Sequence, residues 1–242
     1  MNNSRIEDLV ISGNTGAGVV LYGNHSGQCN GNALTDLIIS DNESNGIYIY
    51  GYSGQCNENT ITDCIITGNG SDGIASSSRL GECNGNIFSD CTVNGNKGDG
   101  VNLSGFLGQC SENILTDCNI SRNGDDGIFL SGYQGQCTGN RIQGNTISRN
   151  AGNAGIFVTD TGENRIERNS VWGATGTGTG TGYIWGIRTH ASQNNLILQN
   201  SCGGYGTNYD LDSSDTAGPI VSASGFLSAV GNTSHPWANF SH

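Results

Sequence analysis

A tripeptide, Gly-Gln-Cys or Gly-Glu-Cys, closes at Cys29, Cys56, Cys83, Cys110 and Cys137, each 27 residues after the last. Self-similarity at a fixed period of this size marks a stacked architecture, in which each unit buries its apolar face only against its neighbours. Other columns run beside it. Asn42, Asn69, Asn96, Asn123 and Asn150 form one, and Cys64, Cys91 and Cys118, preceded by Leu37 and continued by Asn145, Asn169 and Asn200, form another. Gly-Ile or Gly-Val pairs begin at Gly46, Gly73, Gly100, Gly127 and Gly155.

Within each unit the apolar residues stand two apart, as in Leu37/Ile39, Ile47/Ile49 and Ile128/Leu130, which is the period of a strand. Three short strands per repeat, separated by Asn- and Gly-rich turns, describe one triangular coil of a parallel β-helix. Stacked coils pair each strand with its equivalent about 4.8 Å away, so identical residues line up in asparagine and cysteine ladders. A leucine-rich repeat competes, because Leu34-x-x-Leu37-x-Ile39-x-x-Asn42 matches half of its pattern. The other half needs helical spacing, and Ile47 to Cys56 has none. The reading is an all-β solenoid of about eight coils, beginning near residues 5, 32, 59, 86, 113, 140, 164 and 195. Residues 1–210 form the β-helix and 211–242 a C-terminal capping segment of the same domain.

Composition agrees and excludes alternatives. With 40 Gly but only 2 Pro the chain is no collagen, and 12% charged residues with few good helix formers is no helical bundle. The net charge of −12 disfavours nucleic acid and anionic membrane surfaces as partners. No apolar run is long enough for membrane insertion, and MNNSRIEDLV lacks the basic and apolar regions of a signal peptide. The low-complexity stretch 173–182 interrupts coil seven and is expected to be mobile. The first coil begins in mid-pattern, which invites end-to-end self-association through an uncapped edge.

The nine cysteines replace apolar residues in their columns and show no metal-ligand spacing, so they read as buried thiols of the core. Asp36, Asp63, Asp90 and Asp117 stack on four consecutive coils, and their mutual repulsion requires an offset. Either each caps its own turn, or the file holds Ca²⁺, the one cofactor this chain invites. A second column, Asp72, Asp99 and Asp126, precedes the Gly-Ile pairs and invites comparison with glycosidase carboxylates. Asp/Asn-Gly recurs in nearly every coil, however, so turn chemistry explains that column alone.

Tyr48, Phe129 and Phe157 fall at outward positions of the third strand, with Tyr52, Phe106 and Tyr133 in nearby turns. In file, they can stack on a linear polysaccharide, or serve as a packing surface. Coil seven departs from the repeat. There Arg188 and His190 project outward, Trp185 is placed to stack on a sugar, and Asp160 and Glu163 close the preceding coil. In a β-eliminating site Arg188 or His190 would be the base, with Asp160 and Glu163 holding Ca²⁺; the alternative is an ordinary charged surface.

The repeat resembles that of right-handed parallel β-helix proteins, the pectate-lyase-like superfamily that includes polygalacturonases. Gly218 to Ala223 and Pro236 to Phe240 resemble the C-terminal closure of bacterial members of unassigned activity. The resemblance implies a right-handed coil and an extracellular or cell-surface location. The polygalacturonase histidine-glycine motif has no counterpart, so a lyase is favoured over a hydrolase. The leading expectation is a non-catalytic scaffold that binds polysaccharide or sits at the cell surface; the alternatives are a polysaccharide lyase or other glycan-active enzyme, and a self-assembling module.

Overall fold

The computed structural model describes residues 2–173, 184–222 and 236–242. The Gly-Thr stretch expected to be mobile falls outside them from residue 174 onward. Among the described residues there is no helix; the chain winds through three parallel sheets of nine, ten and eight strands in about seven turns. One middle coil shows the plan: Ile87–Ser89 enters the first sheet, Thr92–Asn94 the second and Val101–Ser104 the third. Each pairs in register with its equivalent one coil on, Phe88 with Leu115, Val93 with Ile120 and Leu103 with Leu130. The absence of any helix in the second half of the repeat disposes of the leucine-rich alternative.

The two-residue period puts every second side chain inside. Leu34, Ile61, Phe88, Leu115, Ile142, Ile166 and Ile197 stack fully buried along the first sheet, and Ile39, Ile66, Val93, Ile120 and Ile147 along the second. All nine cysteines are buried and unbonded to one another. The Gly of each Gly-Ile pair is a packing requirement. A Cβ on Gly100 would strike Ile120 Cγ2 and come within 2.6 Å of the Gly127 carbonyl.

Asparagine ladders close the corners. Both the backbone N–H and the Nδ2 of Asn96 donate to Asn123 Oδ1, each at 3.0 Å, and Asn69 donates in the same way to Asn96. A second ladder runs from Asn32 through Asn59, Asn86, Asn113, Asn140 and Asn164 to Asn195, where Asp215 Oδ1 receives both donors at 2.9 and 3.0 Å. The cysteine column yields to amides at Asn145, which accepts the Cys118 N–H and hands on to Asn169, Asn200 and Asn239. Buried amides paired this way satisfy polar groups that would otherwise cost stability.

The tail joins the same solenoid. Thr216–Ala217 adds to the first sheet, and Asn239–Ser241 and Ile220–Ser222 add to the second. At the other end Arg5–Glu7, Val10–Ser12 and Val19–Asn24 each have one neighbouring strand, and Val10 and Val20 are exposed. Among the described residues no helix is long and apolar enough to cross a membrane.

Candidate functional site

The turn between the second and third sheets brings acidic side chains of successive coils together. Asn45, Asp72, Asp99 and Asp126 occupy it on successive coils. Asn45 Oδ1 accepts the Asp72 N–H at 3.0 Å, Asp72 Oδ1 the Asp99 N–H at 2.9 Å, Asp99 Oδ1 the Asp126 N–H at 3.0 Å, and Asp126 Oδ1 the Ala154 N–H at 2.8 Å. These carboxyl groups replace amides in a structural ladder, and that position forces them together. Asp99 and Asp126 are buried while Asp125, one residue before Asp126, is exposed. One carboxylate oxygen from each of Asp99, Asp125 and Asp126 lies within 4.8 Å of the others, the single such group among the described residues.

Burial and crowding raise the proton affinity of these groups. Burial pushes Asp99 up to about 8, with the charges of Asp72, Asp126 and Asp125 adding to it. Asp126 is pushed up to about 6, again by burial first; Asp125 raises it while the Ala154 N–H and the Arg188 charge oppose the rise. Asp72 is raised by burial as well. Asn102 Nδ2 donates to the second oxygen of Asp99 at 2.9 Å, so the outward Asn102 belongs to this constellation.

The third-sheet face beside these carboxyls carries two outward columns. Tyr48, Ala75, Asn102, Phe129, Phe157 and Arg188 form the nearer one, Tyr50, Ser77, Ser104, Ser131, Thr159 and His190 the other. Small hydroxyl residues occupy the middle of the second column, between Tyr50 and His190. Tyr48 stacks on Tyr50 and Tyr50 on Tyr22, at ring separations of 5.1 and 5.7 Å. Phe129 leans on Phe157, Phe106 stacks on Tyr133, and Tyr52 meets His25 edge-on.

Arg188 lies between aromatic rings and an acid. Its guanidinium lies 3.7 Å from the Trp185 ring centroid and 5.3 Å from that of Phe157, and its Nε is 3.3 Å from Asp210 Oδ2. Two aromatic faces and a carboxylate thus surround the guanidinium. The same contact covers the Trp185 face on which a sugar was expected. His190 is exposed at the end of the strand, and Asp160 and Glu163 are exposed at left-handed corners, φ 53° and 59°. Neither acid belongs to the converging group. Asp36, Asp63, Asp90 and Asp117 are likewise exposed corner residues with φ of 53–55°. The carboxylates of Asp63 and Asp117 accept the hydroxyls of Thr62 and Thr116, and the left-handed backbone accounts for Asp at this corner.

The raised carboxyls Asp72, Asp99 and Asp126 stand in the column that spacing explains by turn chemistry alone. The available signal was that acids occupy the residue before the Gly-Ile or Gly-Val pair on three consecutive coils, between Asn45 and Ala154. Tyr22 and Tyr50, which extend the aromatic row, were also passed over.

The architecture is a parallel β-solenoid bearing a carboxyl cluster beside an aromatic-lined sheet. The profile of the family described as right handed beta helix region matches residues 1–171 and, in an overlapping match, 106–209; the chain belongs to that family. By sequence, no curated protein matches. Among solved structures, the A-module of a mannuronan C-5 epimerase from Azotobacter vinelandii superposes with a TM-score of 0.75 at 18% identity, covering 90% of this chain and 58% of that one. A periplasmic alginate epimerase gives 0.68 at 18% identity over 83% and 46% of the two chains. Tailspike protein 2 of Escherichia coli O157:H7 bacteriophage CAB120 gives 0.68 at 15% identity, over 99% and 34%. At these identities the likeness is one of fold, and the chain spans less than two thirds of each relative.

Proposed function

We propose that the outer face of the third sheet binds a linear polysaccharide and that Asp99 and Asp126 act on it as a proton-donating and a proton-accepting carboxyl. The observation that carries this is the pair itself: two carboxyl groups on adjacent coils, locked by ladder hydrogen bonds, with proton affinities pushed apart to about 8 and about 6. Between those values Asp99 keeps its proton and Asp126 has given its up, which is the division of labour that acid–base chemistry on a sugar needs. Arg188 supplies the cation for an acidic group on the substrate, and the rings of Tyr48, Phe129 and Phe157 in one column supply stacking surfaces. The epimerase relatives, named for their action on mannuronan and alginate, and the phage tailspike support a glycan as the ligand class, and they support a location outside the cytoplasm.

A second reading keeps the binding and drops the chemistry. The convergence of Asp99, Asp125 and Asp126 suits a Ca²⁺ ion, which would hold all three ionised and make the face a non-catalytic scaffold. One experiment separates the two. The protein is incubated with uronate and neutral polysaccharides in deuterated buffer, and the products are followed by ultraviolet absorbance, by chain length, and by deuterium entering the sugar ring. The enzyme reading expects one of these signals, lost in Asp99→Asn and in Asp126→Asn. Binding with none of the three signals, strengthened by Ca²⁺, would leave the scaffold.

A further inference from the structure

A separate groove runs along the solenoid over the turns that leave the third sheet. Three depressions, of about 320, 380 and 620 Å³, join end to end: the first shares Leu80, Gly81 and Glu82 with the second, and the second shares Gly135 and Gln136 with the third. Their lining repeats with the coil. Gln28, Gln55, Glu82, Gln109 and Gln136 sit in register, tied one to the next by parallel backbone bridges. Gln28 Nε2 donates to Gln55 Oε1 and Gln55 Nε2 to Glu82 Oε2, both at 3.1 Å, while Asn84 Nδ2 donates to Gln109 Oε1 at 3.2 Å. The lip of the groove is apolar. Leu80 and Leu107 stand 61% and 38% exposed, both with left-handed backbone (φ 60° and 57°), a conformation that costs a leucine energy and that Asn or Gly would adopt more readily. The Phe106–Tyr133 stack precedes Leu107 and Gln134 by one residue each.

We propose that this groove binds a neutral linear polysaccharide, one sugar per coil. Coils rise by about 4.8 Å, close to the length of one pyranose unit, so a periodic floor meets a periodic ligand in phase. Primary amides both donate and accept, which matches sugar hydroxyls, and the leucine lip suits the C–H face of the ring. The charged lining residues, Glu82, Asp160 and Asp212, are all acidic, so a polyanion is repelled and an uncharged chain is not. The proposal is independent of Asp99 and Asp126, which lie on the turn at the opposite end of the third-sheet strands.

The test is calorimetric titration of the full chain with cellohexaose, mannohexaose and xylohexaose and with the matching disaccharides. One hexaose is expected to bind, about tenfold or more tighter than its disaccharide because several coils are engaged. Gln109→Ala combined with Gln136→Ala should weaken that binding by about tenfold, and Asp99→Asn should leave it unchanged. Leu107→Asn relieves the left-handed leucine, so this variant stays folded and should still lose affinity. No binding of any hexaose overturns the proposal, as does binding that survives both groove variants. Binding lost only in Asp99→Asn would assign the sugar to the third-sheet face instead.

Discussion

Asp99 Oδ1 accepts the backbone N–H of Asp126 at 3.0 Å, so the carboxyl that holds its proton most tightly on this face is also a rung joining two coils. Its folded-state value of about 8 stands above the ordinary carboxylate range near 4, so between those values the folded chain binds the extra proton. The stabilisation from Asp99 is therefore complete at low pH and is lost as the pH rises towards 8. Asp126 adds a smaller fall ending near pH 6. Melting temperature measured from pH 5 to pH 9 should decline in the wild type and flatten in Asp99→Asn. Parallel profiles would show that Asp99 ionises normally.

Asn102 contacts that same carboxyl, which distinguishes it from the buried ladder amides. Asn96→Ala removes a side chain that accepts from Asn69 and donates to Asn123 and to the Ile66 carbonyl, and should cost about 2 kcal/mol or more by denaturant unfolding. Asn102→Ala should cost less than about 1 kcal/mol, because the position is only half-buried. It should nevertheless raise the proton affinity of Asp99 further, since its amide donates to the carboxylate at 2.9 Å. Carboxyl titration followed by NMR reads both effects.

Gly100→Ala should be among the costliest single-methyl changes available. The added Cβ meets Ile120 Cγ2 and the Gly127 carbonyl of the next coil, and the stack has no slack along its axis. A loss of about 2 kcal/mol or more is expected from such overpacking, and wild-type stability would mean that the coils slide apart easily.

Glu167 is 1% exposed on the outside of the first sheet, clasped by Arg141 at 2.8 Å and Arg165 at 2.7 Å. The Arg165 hydrogen bond, aided by Arg141, holds its carboxyl below the usual range. This stability is present above the ordinary carboxylate pKa and is lost as the pH falls, the reverse of Asp99. Glu167→Gln should cost about 1–2 kcal/mol at pH 7, because the arginines left behind are partly solvated, and close to nothing in acid. Equal costs at the two pH values would mean that the charge contributes nothing.

The solenoid was legible because its register is written in columns: Leu34, Ile61 and Phe88 stack for the reason their spacing implies. The site was less legible. Asp99 and Asn96 sit three residues apart in the same turn, and sequence alone does not say which of them faces a crowd of like charges. Coil seven drew attention because it breaks the pattern, yet the carboxyl cluster lies on the regular middle coils. Its abnormality arises only when Asp99 and Asp126 are stacked and buried, a relation between coils that no single repeat contains. Spacing likewise does not reveal that the Arg188 guanidinium lies 3.7 Å from the Trp185 ring centroid.

The amide ladders have a direction. In each, the donors of one coil are satisfied by the oxygen of the coil that follows, so a coil is incomplete until its successor arrives. A carboxylate can receive both donors and pass none on, and Asp215 does this for Asn195. Asp215 is thus a terminator in a chemical sense, whereas the series that reaches Asn239 ends on an amide whose Nδ2 donates to the Ile197 and Gly218 carbonyls. The two ends of the ladder that Asp215 closes are therefore unlike: Asn32 Oδ1 begins it by accepting the Ser4 N–H, and Asp215 Oδ1 ends it by accepting both Asn195 donors. Any attempt to lengthen the solenoid by adding repeats should insert them ahead of Asp215.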